Sequence, residues 1–367
     1  MANFRKRGKY WEYRISYTTN GIKQTISKSG FSTKAEAKIA ATAIENDLNK
    51  GVKVSSANEL FTAYYKRWIE LYRIGTGAAR TDLFRERSIK KCKLLFDGLR
   101  LKDIDKDTYQ RIIKDFSVGY AYETIKKYNS HFKACFQHAV DNGILLINPA
   151  KNVVFDKNCG KSKKEEDKYI SYYEVQKLIT AIKQDFQPDF TSRYMILFAL
   201  ATGMRFGEIL GLTWDCVNFT KQTITINKSW DYHITHTFTP TKTKQVRVIS
   251  IDIQTIQLLK EIKTHQKVNS LNNQVFVDKL GNTISNNAVN KALKRACERA
   301  GIKPIHFHSL RHTHGSILLY KGASIFYISK RLGHANVSMT EEVYLHMIDE
   351  LKQEEDKKLN IIFKELF

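Results

Sequence analysis

Residues 10–31 read YWEYRISYTTNGIKQTISKSGF, in which Trp11, Tyr13, Ile15 and Tyr17 alternate with Glu12, Arg14, Ser16 and Thr18. Strict alternation predicts a strand buried on one face. Asn20-Gly21 is a hairpin signal, and Ile22 and Ile26 resume the pattern with Lys23, Thr25 and Ser27 on the outward side. Thr33-Lys34-Ala35-Glu36 then forms a capping box for a helix reaching about Leu48. From Ser56 the apolar period lengthens. Ser56 and Glu59 make a second capping box, and Leu60, Phe61, Tyr64, Tyr65, Trp68, Leu71 and Tyr72 recur at helical spacing. Further helices are expected near 89–96, 108–116 and 121–142, before Asn148-Pro149 breaks the pattern. Residues 160–167, GKSKKEED, read as a linker. From about Tyr169, helical stretches surround expected strands at 223–227 and 246–251, and a last helix carries Glu342 to Met347. After Asp349 a charged segment carries Leu359, Ile361, Ile362, Leu366 and Phe367.

A chain of 367 residues is long enough for two or three separate cores, and the pattern favours three. The expected divisions are 1–54, 55–155, a linker at 156–168, 169–350, and a tail at 351–367. Sixty Lys and Arg against 37 Asp and Glu give a net charge of +23. Such an excess asks for a polyanionic partner. The basic residues recur along the whole chain, as at Arg5, Lys6, Arg7 and Lys9, at Lys90, Lys91 and Lys93, at Lys126 and Lys127, and at Lys161, Lys163 and Lys164. This distribution suits wrapping of nucleic acid. A two-stranded ribbon fits the DNA major groove, so Arg14, Lys23 and Thr25 are candidates to read bases. Arg5, Lys6 and Arg7 would then hold phosphates, as would Lys90, Lys91, Lys126 and Lys127. The alternative for the sheet is a merely solvated face. Five scattered cysteines without a C-x-x-C pair suggest neither disulfides nor zinc. No signal-like apolar region and no apolar run of about eighteen residues is found, so a reducing cytosol without membrane attachment is expected.

Attack on a phosphodiester without metal needs cationic donors for the non-bridging oxygens, a nucleophile, and a proton donor for the leaving oxygen. Arg205 lies in LATGMRFGEILGL, where Gly203 and Gly207 allow close approach and Glu208, one turn on, can hold the guanidinium. In HFHSLRHTHGS, His308 and Arg311 share a helix face, so two donors would aim at one phosphate. The crowding of His306, His308, His312 and His314 also permits a metal-site reading. The lack of nearby carboxylates argues against it, because a metal acting on phosphate favours hard oxygen ligands. Last comes KRLGHANVSMTEEVYLH, with His334 followed by Tyr344.

Taken in order, G-x-R-x-x-E, H-x-x-R-H and L-G-H followed by Tyr resemble the catalytic signature of the tyrosine recombinases, particularly integrases of phages and integrative elements. The resemblance extends over nearly the whole chain, and HAVDNGILLINPAKNV resembles the family's stretch before the catalytic domain. It implies an α+β, multidomain fold. A small N-terminal three-stranded sheet plus helix would bind arm sites, a helical bundle would bind the core site, and a mixed, mainly helical catalytic domain would carry a short antiparallel sheet. It also implies that Arg205 and Arg311 clamp the scissile phosphate, that His308 and His334 donate to it, that Glu208 orients Arg205, and that Tyr344 attacks. His308 is the candidate base for the phenol. The family's general-acid lysine matches Lys242 in PTKTKQVRVISI, with Lys244 the alternative. No cofactor is called for. The implied partners are double-stranded attachment sites, three further copies of the chain in a tetramer on DNA, an excisionase and a host DNA-bending protein, in a bacterial, nucleoid-associated setting. The tail after Asp349 would dock on a neighbouring copy. Rival readings are a type IB topoisomerase-like relaxing enzyme, a regulator that has lost catalysis, and a metal-dependent nuclease.

Overall fold

The computed structural model describes residues 2–19, 22–49, 53–155, 169–266, 268, 272–338 and 340–341. The chain divides into two compact units, 1–162 and 163–367.

The first unit opens with an antiparallel meander of β1 (Asn3–Arg7), β2 (Tyr10–Thr19) and β3 (Ile22–Phe31), followed by α1 (Lys34–Asn49). Alternation along β2 sends Tyr13 and Ile15 into a small core with Ala41 of α1, flanked by Phe4, Ile26 and Phe31. At the start of α1, Thr33 Oγ1 accepts from the Glu36 N–H at 3.2 Å. The return bond comes to Glu36 from Ser32 N–H rather than from Thr33. The Asn20-Gly21 turn lies outside the described residues.

A second apolar core in this unit belongs to α2 (Val54–Ala57), α3 (Phe61–Tyr72), α4 (Ala79–Leu95), α5 (Lys106–Ser117) and α6 (Tyr122–Asp141). Phe61, Tyr65, Phe96, Tyr109, Phe132 and Phe136 fill it, with Phe61 and Phe136 stacked at 4.2 Å. The capping box expected at Ser56 and Glu59 does not form. Ser56 sits within α2, and Leu60 precedes α3 without a side-chain cap. The reason is tertiary: Leu60 pairs with Arg100 across an isolated bridge, and the Glu59 carbonyl accepts from Leu101 N–H at 3.0 Å. The Glu59 carboxylate is drawn to Arg67 instead, at 2.8 Å from Nη2. Helix α4 starts ten residues ahead of expectation, because Ser88 and Cys92 are its only buried residues and leave almost no apolar stripe to read.

The second unit contains α7 (Tyr172–Gln184), α8 (Thr191–Thr202), α9 (Phe206–Leu210), β4 (Val217–Asn218), β5 (Thr223–Ile226), β6 (Lys228–Trp230), β7 (Phe238–Pro240), β8 (Arg247–Ser250), α10 (Ile253–His265), α11 (Asn286–Arg299), α12 (Phe307–Tyr320) and α13 (Ile325–Leu332). Its central helix is α8, which packs against α10, α11 and α12 and is apolar on all sides for that reason. The expected strands pair as β5 with β8, in register from Thr223 with Ser250 to Ile226 with Arg247, and β4 completes the sheet. A separate β6–β7 hairpin, too short to show alternation, is inserted between them. The helix expected around Glu342 to Met347, the linker 156–168 and the tail 351–367 lie outside the described residues. Among the described residues no helix is long and apolar enough to cross a membrane.

A candidate phosphate-binding active site

Helix α8 ends at Gly203, whose φ of 67° belongs to the left-handed region. A Cβ there would fall 2.7 Å from both His314 Cδ2 and Leu332 Cδ2, so this close approach requires glycine. The turn delivers Arg205 to the N-cap of α9. There its backbone N–H donates to Glu208 Oε2 at 3.0 Å, and its Nη1 donates to Oε1 at 2.8 Å. The other side of the same carboxylate is taken by Arg247 of β8, with Nη2 2.7 Å from Oε2 and Nη1 3.1 Å from Oε1. The Glu208 side chain is only 1% exposed. Burial alone would raise its pKa, but hydrogen bonding and charge from Arg247, then Arg205, hold it at about 2. A fixed anion therefore sits between two guanidinium groups.

Three successive carbonyls at the end of α13 complete the arrangement. Arg331 O accepts from Arg247 Nε at 3.0 Å, Leu332 O from Arg311 Nη2 at 2.6 Å, and Gly333 O from Arg205 Nη2 at 3.1 Å. These carbonyls lack helical partners and form the negative end of the helix dipole, so a cluster of cations suits them. Gly333 is left-handed with φ 68°, and a Cβ on it would meet Arg247 Nη1 at 2.9 Å. Arg311 also donates to Gly203 O at 2.8 Å and is nearly enclosed. Beneath it, Arg331 donates from Nε to His314 Nε2 at 3.0 Å and from Nη1 to Ser250 O at 2.9 Å. Because His314 Nε2 accepts, its Nδ1 carries the proton and donates to Leu200 O at 2.7 Å. Burial, then the charge of Arg331, lowers the His314 pKa to about 4.

His308 stands on the first turn of α12, with the His312 ring edge-on 5.0 Å away. By area it is exposed, yet surrounding protein mass, then His312, Arg311, Arg205 and Lys242, press its pKa to about 4. That value makes His308 a poor base at neutral pH and suits it to donating a hydrogen bond as a neutral imidazole. His334, just after Gly333, is also lowered to about 4, by burial first and then by Arg311 and Arg205. Its Nδ1 lies 2.6 Å from Oγ1 of the fully buried Thr340.

Lys242 is exposed and close enough to His308 to influence its charge. Lys244 has φ 56° and is tied into the turn, its N–H donating to Thr241 O at 2.8 Å. Thus the structure brings together Arg205, Glu208, Lys242, His308, Arg311 and His334; Tyr344 lies outside the described residues. Sequence reasoning assigned no role to Arg247, Arg331 or Thr340, and placed His314 only in the alternative metal-site reading. Arg247 left a signal: it is in phase with Ile249 and Ile251, so a cation occupies a position that points toward the core. Among the described residues no three His, Cys, Asp or Glu side chains gather as metal ligands.

In the first unit, the strand register puts Arg14 opposite Ser27, Ser16 opposite Thr25, and Thr18 opposite Lys23. Arg14, Lys23 and Thr25 therefore share the open face of the sheet. Arg5 and Arg7 join it from β1, while Lys6, opposite Trp11, belongs to the other face. Lys91 donates to Tyr120 Oη at 3.0 Å, and Lys126 and Lys127 lie over the Tyr122 and Phe84 rings. Lys90 is exposed.

Residues 168–350 match the phage integrase family, and residues 3–48 match an arm DNA-binding domain. A tyrosine recombinase XerC-like protein of Caldanaerobacter subterraneus subsp. tengcongensis is 27% identical, over 99% of both chains. The fold resembles that of the Tn1549 transposon integrase in complex with transposon right end DNA, with a TM-score of 0.69 at 19% identity, over 81% of this chain and 98% of that one. It also resembles lambda integrase in a tetramer bound to a Holliday junction, with a TM-score of 0.61 at 17% identity, over 93% and 94% of the two chains.

Proposed function

The chain belongs to the tyrosine recombinases of the phage integrase family, and we propose that it integrates and excises a mobile element by cutting and rejoining attachment-site DNA through Tyr344. The observation that carries this reading is the gathering of Arg205, Arg311, His308, His334 and Lys242 in one neighbourhood, organised by Glu208 and the end of α13. Such a set neutralises a scissile phosphate without calling on a metal.

In the proposed reaction the Tyr344 oxygen bonds to phosphorus and the bond from phosphorus to the 5′ oxygen breaks. The 3′-phosphotyrosine keeps the energy needed for rejoining. The phenol, with an ordinary pKa near 10, gives up its proton to solvent water as the new bond forms, a loss eased by neighbouring cations. Arg205 and Arg311 hold the non-bridging oxygens. His308 and His334, both neutral, donate N–H groups to them. For His334 this requires the proton on Nε2, so the Thr340 hydroxyl donates to Nδ1. Lys242 protonates the leaving oxygen, a role worth about 10² to 10⁴ in rate. Its proximity to His308 favours it over Lys244.

Residues 1–54 bind arm sites, 55–155 the core site, and 169–350 carry catalysis, joined by the linker 156–168. Four copies assemble on DNA, with the tail 351–367 docking on a neighbour, in a bacterial cytosol and with an excisionase and a host DNA-bending protein as accessories. The tetrameric lambda integrase complex supports the assembly. A substrate with sulfur in place of the bridging 5′ oxygen tests the roles, because a thiolate leaves without a proton. It should restore cleavage to Lys242→Ala but not to Arg311→Ala. Equal restoration of both, or of neither, would refute the assignment of the acid.

A further inference from the structure

The open face of the N-terminal sheet carries a carboxylate among its cations. Glu12 lies opposite Arg5 in the β1–β2 register and is only 6% exposed. Its Oε2 accepts from Arg5 Nε at 3.0 Å, its Oε1 accepts from Arg5 Nη2 at 3.3 Å, and Arg7 Nε lies 3.6 Å from Oε2. A negative charge here weakens attraction to a polyanion. Nor does stability explain it well, since Arg5 and Arg7 remain 56% and 69% exposed and ion pairs of that kind contribute little.

What the carboxylate does is orient. It occupies the Nε and Nη2 edge of the Arg5 guanidinium, leaving the edge formed by Nη1 and the outer N–H of Nη2 without a hydrogen bond among the described residues. That second edge is a planar two-donor fork, which matches O6 and N7 of guanine in the major groove. An arginine already held in one orientation also loses less conformational freedom on binding than a free one.

We propose that Glu12 is a positioning residue for base recognition: it turns Arg5 so that its free edge reads a guanine in the arm site, trading general affinity for sequence discrimination. This rests on the reading that the sheet binds arm-site DNA. A randomised duplex library, selected in parallel with the full-length wild type, Glu12→Gln, Glu12→Asp and Arg5→Lys, tests it, followed by titration of recovered duplexes and of single-base variants. Wild type should prefer guanine at one position by roughly 5- to 150-fold, the discrimination of one bidentate contact. Glu12→Gln and Arg5→Lys should both lose that preference, Glu12→Asp should keep part of it, and Glu12→Gln should bind non-cognate duplex more tightly than wild type. A preserved preference in either Glu12→Gln or Arg5→Lys overturns the proposal, as does a parallel fall in cognate and non-cognate affinity. If Arg14→Ala and Lys23→Ala leave all recovered motifs unchanged, the broader reading of the sheet fails instead.

Discussion

Glu208→Gln removes the anion between Arg205 and Arg247 while keeping the shape of the side chain. The magnitude follows from the carboxyl's position on the pH scale. Its ordinary value is 4.5 and the folded site holds it at about 2, so at 1.36 kcal/mol per pH unit the ionised form contributes about 3 kcal/mol at pH 7. The folded pKa is depressed, so this stability is present in full above about pH 4.5 and is lost as pH falls through about 2. By the same relation, about 1 kcal/mol remains at pH 3. An amide in that place would also turn a donor toward two guanidinium groups, adding to the loss. Urea titrations of wild type and Glu208→Gln at pH 7, 4 and 3 measure the difference, followed through Trp214 and Trp230 of the second unit. The gap should be about 3 kcal/mol or more at pH 7 and should narrow steadily toward pH 3. A gap under about 1 kcal/mol at pH 7, or one independent of pH, would refute the picture of a buried anion bound by two arginines.

Gly333→Ala should lower single-turnover cleavage by at least about 10²-fold, because the left-handed backbone and the Arg247 contact both oppose a methyl group; wild-type rates in the variant would contradict the cradle at the end of α13. Thr340→Val should shift the His334 tautomer, read by nitrogen NMR of labelled histidine, and Thr340→Ser should restore it; identical spectra for all three proteins would dismiss Thr340 as the tautomer-setting group. His308, His314 and His334 are all depressed to about 4, so the unfolded chain takes up protons first as pH drops below 6.5. Their contribution to stability is full above 6.5 and lost toward 4, and the urea midpoint should fall across that window; a flat midpoint would argue against neutral histidines. EDTA should leave covalent adduct formation unchanged, whereas loss of the adduct that added Mg²⁺ reverses would point to a metal-dependent reaction.

The plan of the fold was legible wherever a local pattern had a local cause. Alternation from Trp11 to Tyr17 reflects a sheet packed on one side by α1, and the aromatic run from Phe61 to Trp68 marks the inner face of α3. The pattern misled where distant backbone intervened, as at Ser56 and Glu59, which pairing with Arg100 and Leu101 diverts from capping. It was silent over the first ten residues of α4, where Ser88 alone is buried. In the site, short motifs supplied Arg205, Glu208, His308, Arg311 and His334, because each motif lies within a turn or two of one helix. Arg247 and Arg331 were harder to see. Their roles depend on carbonyls and a carboxylate brought from 39 to 130 positions away in the chain, and a cation in core phase at Arg247 was the sole hint.

The proposed reaction turns on a covalent bond to Tyr344. A nicked duplex containing the attachment site, on which cleavage releases a short fragment and prevents rejoining, should be mixed with wild type and with Tyr344→Phe and resolved on a denaturing gel. A protein–DNA adduct at the 3′-phosphate is expected with wild type and none with Tyr344→Phe, while both proteins retain binding to the duplex. An adduct formed equally by the phenylalanine variant, or mapped by peptide sequencing to another residue, would contradict it.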